Sequence, residues 1–183
     1  MNVLVLGDSL AISPSSSQNF ASELQARLRV LNPGWTVVNA GVRGDTTGGG
    51  LTRCDYWLGG KPEILILALG ANDGLRGVDP STVERNLSTI IERAQACGIP
   101  VLLCGMQAPP LWGWDHARAF QNVFPRLAAR YKVPLVPFLL EGVMLNRAMN
   151  GPDGIHPNAA GARAIANLVW PYLEQLVASA RAR

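Results

Sequence analysis

The chain has few of the residues that build metal centres, and it lacks the long apolar runs of membrane-spanning proteins. It carries two histidines and three cysteines in 183 residues, and Cys54, Cys97 and Cys104 show neither Cys-x-x-Cys nor another metal-ligand spacing. With only two histidines, a histidine-rich zinc site is not expected. No apolar run approaches the roughly 20 residues that span a bilayer, so we predict no transmembrane segment.

Export signals and basic clusters are missing too. Met1 and Asn2 lead straight into the first apolar segment, with no signal peptide before it. We therefore expect a cytoplasmic protein unless the chain is a processed periplasmic form. The 16 basic and 13 acidic side chains give a net charge of +3, and the basic ones are scattered. Because no block of Lys and Arg alternates with aromatic residues, nucleic-acid binding is not expected.

Three familiar motifs are also absent. The chain has no Gly-x-x-x-x-Gly-Lys-Ser/Thr phosphate loop, and the glycines at 48–50 lack dinucleotide-binding spacing after a strand. It has no Gly-x-Ser-x-Gly either, because Ala11 stands where the second glycine would follow Ser9. The sharp nucleophile elbow of the α/β-hydrolases is therefore not expected.

What the chain does contain is a regular alternation of strand-like and helix-like segments. Hydrophobic residues make up 48% of it, and its length suggests one domain over residues 1–183. The patterns predict strands at residues 2–6, 35–39, 64–69, 99–104 and 133–138, helices at about 18–31, 46–58, 79–97, 117–131 and 158–177, and loops at 70–77 and 106–115. This alternation indicates a doubly wound α/β fold with a parallel sheet.

A serine follows the first strand, and an aspartate and a histidine lie near the other end of the chain. Ser9 is expected in the loop after Gly7, at the sheet edge where open α/β folds keep their active sites. His156 can act as a base, since the ordinary pKa of histidine lies near neutrality. Asp153, three residues earlier, can reach the imidazole Nδ1–H in a turn and leave Nε2 to Ser9. On spacing alone, Asp153 and His156 could equally cap the last helix.

Two further residues follow predicted strands and could bind an oxyanion. Gly44 can offer a backbone N–H, because no Cβ blocks approach to it. Asn72 can offer a side-chain N–H from the same rim of the sheet. The alternative is that Gly44 is a plain turn glycine and Asn72 a turn residue.

The order and wide spacing of four sequence blocks resemble the SGNH (GDSL) hydrolase family. The blocks are Gly-Asp-Ser-Leu at residues 7–10, the glycine-containing turn at 41–46, Leu-Gly-Ala-Asn-Asp-Gly-Leu-Arg-Gly at 69–77, and Asp-Gly-Ile-His-Pro-Asn at 153–158. The third and fourth are most similar to the bacterial branch with the arylesterases and the acyl-CoA thioesterase/lysophospholipase. The resemblance implies a flavodoxin-like three-layer α/β/α sandwich with five parallel strands in order 2-1-3-4-5, and no metal or cofactor.

The resemblance also implies roles for residues in these blocks. Ser9 would be the nucleophile, and its own N–H would join Gly44 and Asn72 in an oxyanion hole. Asp153 and His156 would complete the catalytic triad. Beside these roles, we expect Asp8 to hold the Ser9 loop, and Asp73 and Arg76 to order the loop of Asn72. His116 is expected to be exposed at a helix start.

The remaining prediction concerns substrate. The segment 106–116 is rich in Pro, Leu and Trp, and it could wall an acyl or aryl pocket, although ordinary loop packing explains it equally well. The predicted substrate-binding residues are Met106, Pro109, Leu111, Trp112, Trp114 and Ile155. We predict a serine esterase whose partner is a small-molecule ester with a short to medium acyl chain or an aryl group, with thioesters open to the same mechanism. The alternatives are a carbohydrate O-acetylesterase, in which Trp112 and Trp114 stack on sugar rings, and a non-catalytic flavodoxin-like binding module.

Overall fold

The computed structural model describes residues 1–181 and contains one parallel sheet between two layers of helices. The strands are β1 (Asn2–Gly7), β2 (Thr36–Gly41), β3 (Ile64–Ala68), β4 (Val101–Cys104) and β5 (Leu135–Val136). The helices are α1 (Ser9–Ile12), α2 (Phe20–Leu31), α3 (Thr47–Gly59), α4 (Ala71–Arg76), α5 (Pro80–Ala96), α6 (Trp114–Tyr131) and α7 (Ala159–Arg181). The strand order is β2-β1-β3-β4-β5, which confirms the predicted fold class and topology.

The helices pack in two groups. Helix α2 lies against α7, and α5 lies against both α3 and α6. Covering both faces of the sheet buries its central strands completely, which explains why β3 is an unbroken apolar run rather than an alternating one. No helix in the described chain is long and apolar enough to cross a membrane.

The strand register brings three chain segments to the same edge of the sheet. Gly7, the last residue of β1, pairs with Gly41 of β2 on one side and with Ala68 of β3 on the other. The segments that follow these three residues therefore leave the sheet side by side. They carry the first three sequence blocks described above.

Helix starts follow the local chemistry of the sequence. The side chain of Thr46 caps α3 by accepting from the Gly49 N–H, and Asp79 caps α5 by accepting from the Ser81 N–H. Pro80 then occupies the first turn of α5, where its missing N–H costs nothing. These caps match the predicted starts of both helices to within one residue.

The structure corrects the predicted loop at residues 70–77, because α4 lies there. Gly70, Gly74 and Gly77 lie in or next to this helix and obscure its period in the sequence, and the structure explains two of them. Gly77 closes the helix at a φ of +66°, a conformation that favours glycine. A Cβ on Gly74 would lie 3.1 Å from Ala108, so glycine lets α4 pack closely there.

Two other boundaries differ from the prediction. The loop predicted at 106–115 contains a 3₁₀ turn at Pro110–Trp112, and α6 already begins at Trp114. Strand β5 is only two residues long, instead of spanning 133–138. Pro171 lies inside α7 and does not end it.

Candidate active site

Ser9 occupies the first turn of a helix, and the predicted loop position is wrong in this respect. Asp8 caps α1 by accepting from the Leu10 N–H at 2.9 Å, so the chain passes from β1 into α1 with no intervening loop. The expectation that Asp8 holds the Ser9 segment is confirmed by this bond. Because Ser9 starts the helix, its N–H has no acceptor one turn earlier and can point to a ligand.

Asp153, His156 and Ser9 form a hydrogen-bonded series across 147 residues of sequence. His156 Nε2 lies 2.9 Å from Ser9 Oγ, and His156 Nδ1 lies 2.6 Å from Asp153 Oδ2. A carboxylate can only accept, so Nδ1 carries the proton and Nε2 is left to accept from the Ser9 hydroxyl. The structure therefore brings together all three residues predicted for the triad.

The carboxylate of Asp153 is held in its ionised form. The hydrogen bond from His156 Nδ1 is the largest cause, and the backbone N–H groups of Ile155 and His156 add to it by donating to Oδ1 at 3.0 Å each. Together they hold the pKa of Asp153 well below its usual range. The carboxylate can therefore stabilise an imidazolium at His156.

The turn that carries Asp153 and His156 is closed by its own backbone. Gly151 N–H donates to His156 O at 2.8 Å, and Gly154 N–H donates to Gly151 O at 3.0 Å. Asn150 and Pro157 form an antiparallel bridge at the base of the turn. This closure holds Asp153 and His156 in a defined turn before α7 begins. The two side chains therefore do more than cap that helix.

Gly44 lies in the turn that follows β2. Its φ of +71° favours glycine, and its N–H has no hydrogen-bond partner within residues 1–181. The turn is anchored on both sides: Val42 N–H donates to Gly7 O, and Arg76 Nη2 donates to Gly44 O at 2.9 Å. The anchored turn thus leaves an N–H available beside the end of β1.

Asn72 lies in the first turn of α4, and its amide group faces the same strand ends. Nδ2 donates to Asp45 O at 2.9 Å and reaches Asp8 Oδ2 at 3.3 Å. The longer contact is beyond the usual range for an N–H···O bond, so that hydrogen is the more easily redirected.

Asp73 binds Thr47 N at 2.8 Å and Thr47 Oγ1 at 2.6 Å, which ties α4 to α3 as expected.

A model of the GDSL-like lipase/acylhydrolase family matches residues 5–164. The chain belongs to this family. It is 42% identical over 178 residues to esterase TesA of Pseudomonas aeruginosa, covering 96% of this chain and 89% of the relative. It is 36% identical over 180 residues to thioesterase 1/protease 1/lysophospholipase L1 of Escherichia coli K12, covering 96% and 84%.

A solved structure agrees with the sequence relatives. The crystal structure of TesA superposes with a TM-score of 0.90 at 41% identity, covering 96% of this chain and 99% of that one. These findings confirm the predicted family and the assignment as a serine ester hydrolase. They do not favour a carbohydrate O-acetylesterase or a non-catalytic binding module.

The carboxyl group of Asp8 lies buried directly before Ser9. Asp8 is fully buried, and its nearest donors are the Leu10 N–H and the Asn72 amide. Burial raises the pKa of Asp8 to about 6, and the neighbouring carboxylates of Asp45 and Asp73 also raise it. The ionised form is therefore disfavoured in the folded protein.

We expect Asp8→Asn to stabilise the protein at pH 8 and to have little effect at pH 4. Because the pKa of Asp8 is higher in the folded chain, ionisation costs folding free energy. That cost is absent below pH 4, develops between pH 4 and 6, and is complete above pH 6. The gain in unfolding free energy at pH 8 should be about 1–3 kcal/mol, measured by urea unfolding at both pH values.

Asp79→Asn is the matched control with the opposite sign. Hydrogen bonds from Ser81 hold the pKa of Asp79 below its usual value, so its charge stabilises α5 at neutral pH. This variant should lose stability at pH 8 relative to the native chain. An Asp8→Asn protein less stable than the native chain at pH 8 would contradict the burial argument.

The residues predicted to bind substrate are distributed unevenly. Leu111, Trp112, Trp114 and Ile155 are exposed, and Ile155 lies in the turn between Asp153 and His156. Pro109 is half-buried. Met106 is buried in the core beneath Gly70, where a Cβ on the glycine would lie 3.6 Å from it.

Trp112 has a defined place in the fold. Its ring packs over Gly77, and Nε1 donates to Leu75 O at 3.4 Å, which joins the 3₁₀ turn to the end of α4.

His116 is half-buried and stacks on Phe120, so the expectation that it is exposed is wrong. Its ring therefore lies against another residue of α6.

Within residues 1–181, no cluster of potential metal ligands accompanies this site, and two of the three cysteines are buried. No group of three or more His, Cys, Asp or Glu residues within residues 1–181 is arranged to hold a metal ion. Cys104 is buried, which raises the pKa of its thiol to about 12, and Cys54 is buried with a raised pKa as well. Thiols that resist ionisation are poor nucleophiles.

Sequence reasoning missed one residue of this site, Arg53. Its guanidinium lies next to Asp45 and the end of β1. Its only signal in the sequence is a basic residue in the middle of α3, which is indistinguishable from a solvated surface arginine.

Proposed function

We propose that this GDSL-family hydrolase is an SGNH-type serine esterase for short- to medium-chain acyl or aryl esters, built as one domain over residues 1–183. The observation that carries the proposal is the series from Ser9 Oγ to His156 Nε2 at 2.9 Å and from His156 Nδ1 to Asp153 Oδ2 at 2.6 Å. Such a series is what a hydroxyl needs to become a nucleophile at neutral pH.

In the first half-reaction, Ser9 Oγ attacks the acyl carbon while His156 Nε2 takes the hydroxyl proton. Asp153 stabilises the resulting imidazolium through Nδ1–H. The tetrahedral intermediate collapses, and His156 returns the proton to the departing group, at the alkoxide oxygen of an ester or at the thiolate sulfur of a thioester. An acyl-enzyme on Ser9 and a free alcohol or thiol remain. Water then attacks by the same route and releases the acid.

The oxyanion of each intermediate needs preorganised donors. We assign this role to the N–H groups of Ser9 and Gly44 and to Nδ2 of Asn72. Two observations support the assignment: the Gly44 N–H is unpaired within residues 1–181, and the Asn72 amide makes one contact of only 3.3 Å. In this proposal, Asn72 exchanges its long contact with Asp8 for the oxyanion and keeps its bond to Asp45.

The proposed preference for apolar esters is based on the exposed apolar side chains around the site. Exposed apolar side chains stand in the segments that follow β3, β4 and β5, among them Leu75, Leu111, Trp112 and Ile155. An acyl or aryl group would cover part of this surface. The relatives' names include an esterase and a thioesterase, and thioesters fit the same mechanism.

A series of p-nitrophenyl esters from acetate to decanoate tests this proposal. Each methylene that enters an apolar pocket contributes about 0.8 kcal/mol, so kcat/KM should rise about fourfold per methylene from acetate until the pocket is filled. A serine-directed phosphonate should label one site per chain, found at Ser9 by peptide mapping. Activity limited to acetate, or labelling at another residue, would contradict the proposal.

A further inference from the structure

Arg53 binds three separate acceptors at the edge of the sheet that carries the site. Nη2 donates to Gly7 O at 2.9 Å, Nη1 donates to Ala40 O at 2.6 Å, and Nε donates to Asp45 Oδ2 at 2.8 Å. The side chain of Arg53 is 20% exposed, and the side chain of Asp45 is 10% exposed. This is a partly desolvated ion pair with added bonds to backbone carbonyls, which sets it apart from a surface salt bridge.

Each acceptor belongs to a segment that leads to a proposed catalytic group. Gly7 lies two residues before Ser9, at the end of β1. Ala40 lies in β2, just before the turn that contains Gly44. Asp45 follows Gly44 directly. One planar guanidinium therefore fixes the ends of both strands relative to each other.

Asp45 extends this linkage to Asn72. Its backbone oxygen accepts from Asn72 Nδ2 at 2.9 Å, and its Oδ1 accepts from the Thr46 N–H at 3.1 Å. The carboxylate also rests against Gly49, where a Cβ would lie 1.8 Å from Oδ1. Arg53 thus reaches Asn72 through Asp45 without touching it.

We propose that Arg53 is a positioning residue for ester hydrolysis, which sets the distance between Ser9 and the two oxyanion donors Gly44 and Asn72. The proposal rests on the proposed function, since it needs an oxyanion to be bound. Arg53 itself does not contact substrate. Lysine cannot replace it, because an ammonium group lacks the fork that spans three acceptors in different directions.

The consequence should appear in kcat and not in KM. A displacement of about 1 Å between reacting groups can cost about 100-fold in rate. We expect Arg53→Lys and Arg53→Ala to lower kcat for p-nitrophenyl butyrate by about 10- to 100-fold, with KM changed less than about threefold. Millimolar guanidinium chloride, well below denaturing concentrations, should restore part of the kcat of Arg53→Ala.

Arg93→Ala is the matched control. Arg93, an exposed residue of α5, also pairs with an aspartate, since its Nη1 lies 2.8 Å from Asp55 Oδ2 of α3. This variant should keep the native kcat and should not respond to guanidinium. Thermal melts of every variant give the folded fraction under assay conditions.

A double variant tests the route through Asp45. If Arg53 acts through that carboxylate, Asp45→Asn should also lower kcat, and the Arg53→Lys/Asp45→Asn protein should be no slower than the worse single variant. Additive losses would overturn this route.

The inference and the proposed function fail differently. A native chain that neither cleaves the esters nor reacts with the phosphonate would refute the proposed function. A native chain that does both, with folded Arg53 variants of native kcat, would refute the inference alone. So would a loss that falls on KM, or one that equals the loss of folded protein.

Discussion

Ser9→Ala is expected to lower kcat for ester hydrolysis by at least about 10⁴-fold while leaving the fold intact. Without Oγ no acyl-enzyme can form, and the remaining rate comes only from substrate binding and the oxyanion donors acting on water. Among residues 1–181, the side chain of Ser9 makes one hydrogen bond, to His156 Nε2, so little packing is lost. Steady-state hydrolysis of p-nitrophenyl butyrate and a far-UV thermal melt measure the two effects.

Ser13→Ala serves as the control for this result. Ser13 is a buried serine four residues further on, and its Oγ donates to Ser9 O at 2.7 Å. Losing this neutral hydrogen bond should cost about 1 kcal/mol of stability, with kcat at least 100-fold above that of Ser9→Ala. If Ser9→Ala hydrolysed the ester as fast as the native chain, the nucleophile would have to be sought elsewhere.

The fold could be predicted where a pattern is long or a cap is distinctive. Residues 64–69 form a short apolar run of the kind found in strands that are covered on both faces, and Asp79 with Pro80 marks the start of α5. Helix α4 could not be predicted, because six residues that include Gly74 show no helical period. Its stability comes from packing against Ala108 and from the bonds between Asp73 and Thr47.

The residues of the site could also be predicted from the sequence only in part. Ser9 and the proposed oxyanion donors could be located because their blocks follow strands, and parallel strands end at one edge. Asp153 and His156 were predicted instead from their three-residue spacing and from the family resemblance. The pKa of Asp8 could not, since its rise depends on complete burial that no sequence pattern specifies. Arg53 was out of reach as well: two of its acceptors are backbone carbonyls, 46 and 13 residues away in sequence, which carry no side-chain signature.

The three aspartates at the strand ends differ in the partners that compensate their charge, and this difference bears on the proposed mechanism. Asp45 is paired with Arg53, and Asp73 is bound by Thr47. In the part of the chain that the structure describes, Asp8 has only the Leu10 N–H and a long contact to the Asn72 amide. A carboxylate that holds Asn72 weakly can release it to an oxyanion. The protein thus bears a folding cost at Asp8 in the same place where the proposed mechanism needs a hydrogen bond to be exchanged.

The second large effect is expected from Asp153→Asn, which should lower kcat by about 10³- to 10⁴-fold. The amide oxygen can still accept from the N–H groups of Ile155 and His156, so the turn keeps its shape. The amide nitrogen replaces Oδ2 and cannot accept from His156 Nδ1, which favours the tautomer with the proton on Nε2. That tautomer cannot take the Ser9 proton.

Asp115→Asn, an exposed aspartate in the first turn of α6, should retain the native kcat and so control for the loss of one charge. The decisive comparison is the double variant Ser9→Ala/Asp153→Asn. Residues that act as a unit are not additive, so the double variant should be no slower than Ser9→Ala alone. A further loss of tenfold or more would mean that Asp153 supports catalysis without Ser9, and the assignment of the three residues to a single triad would be wrong.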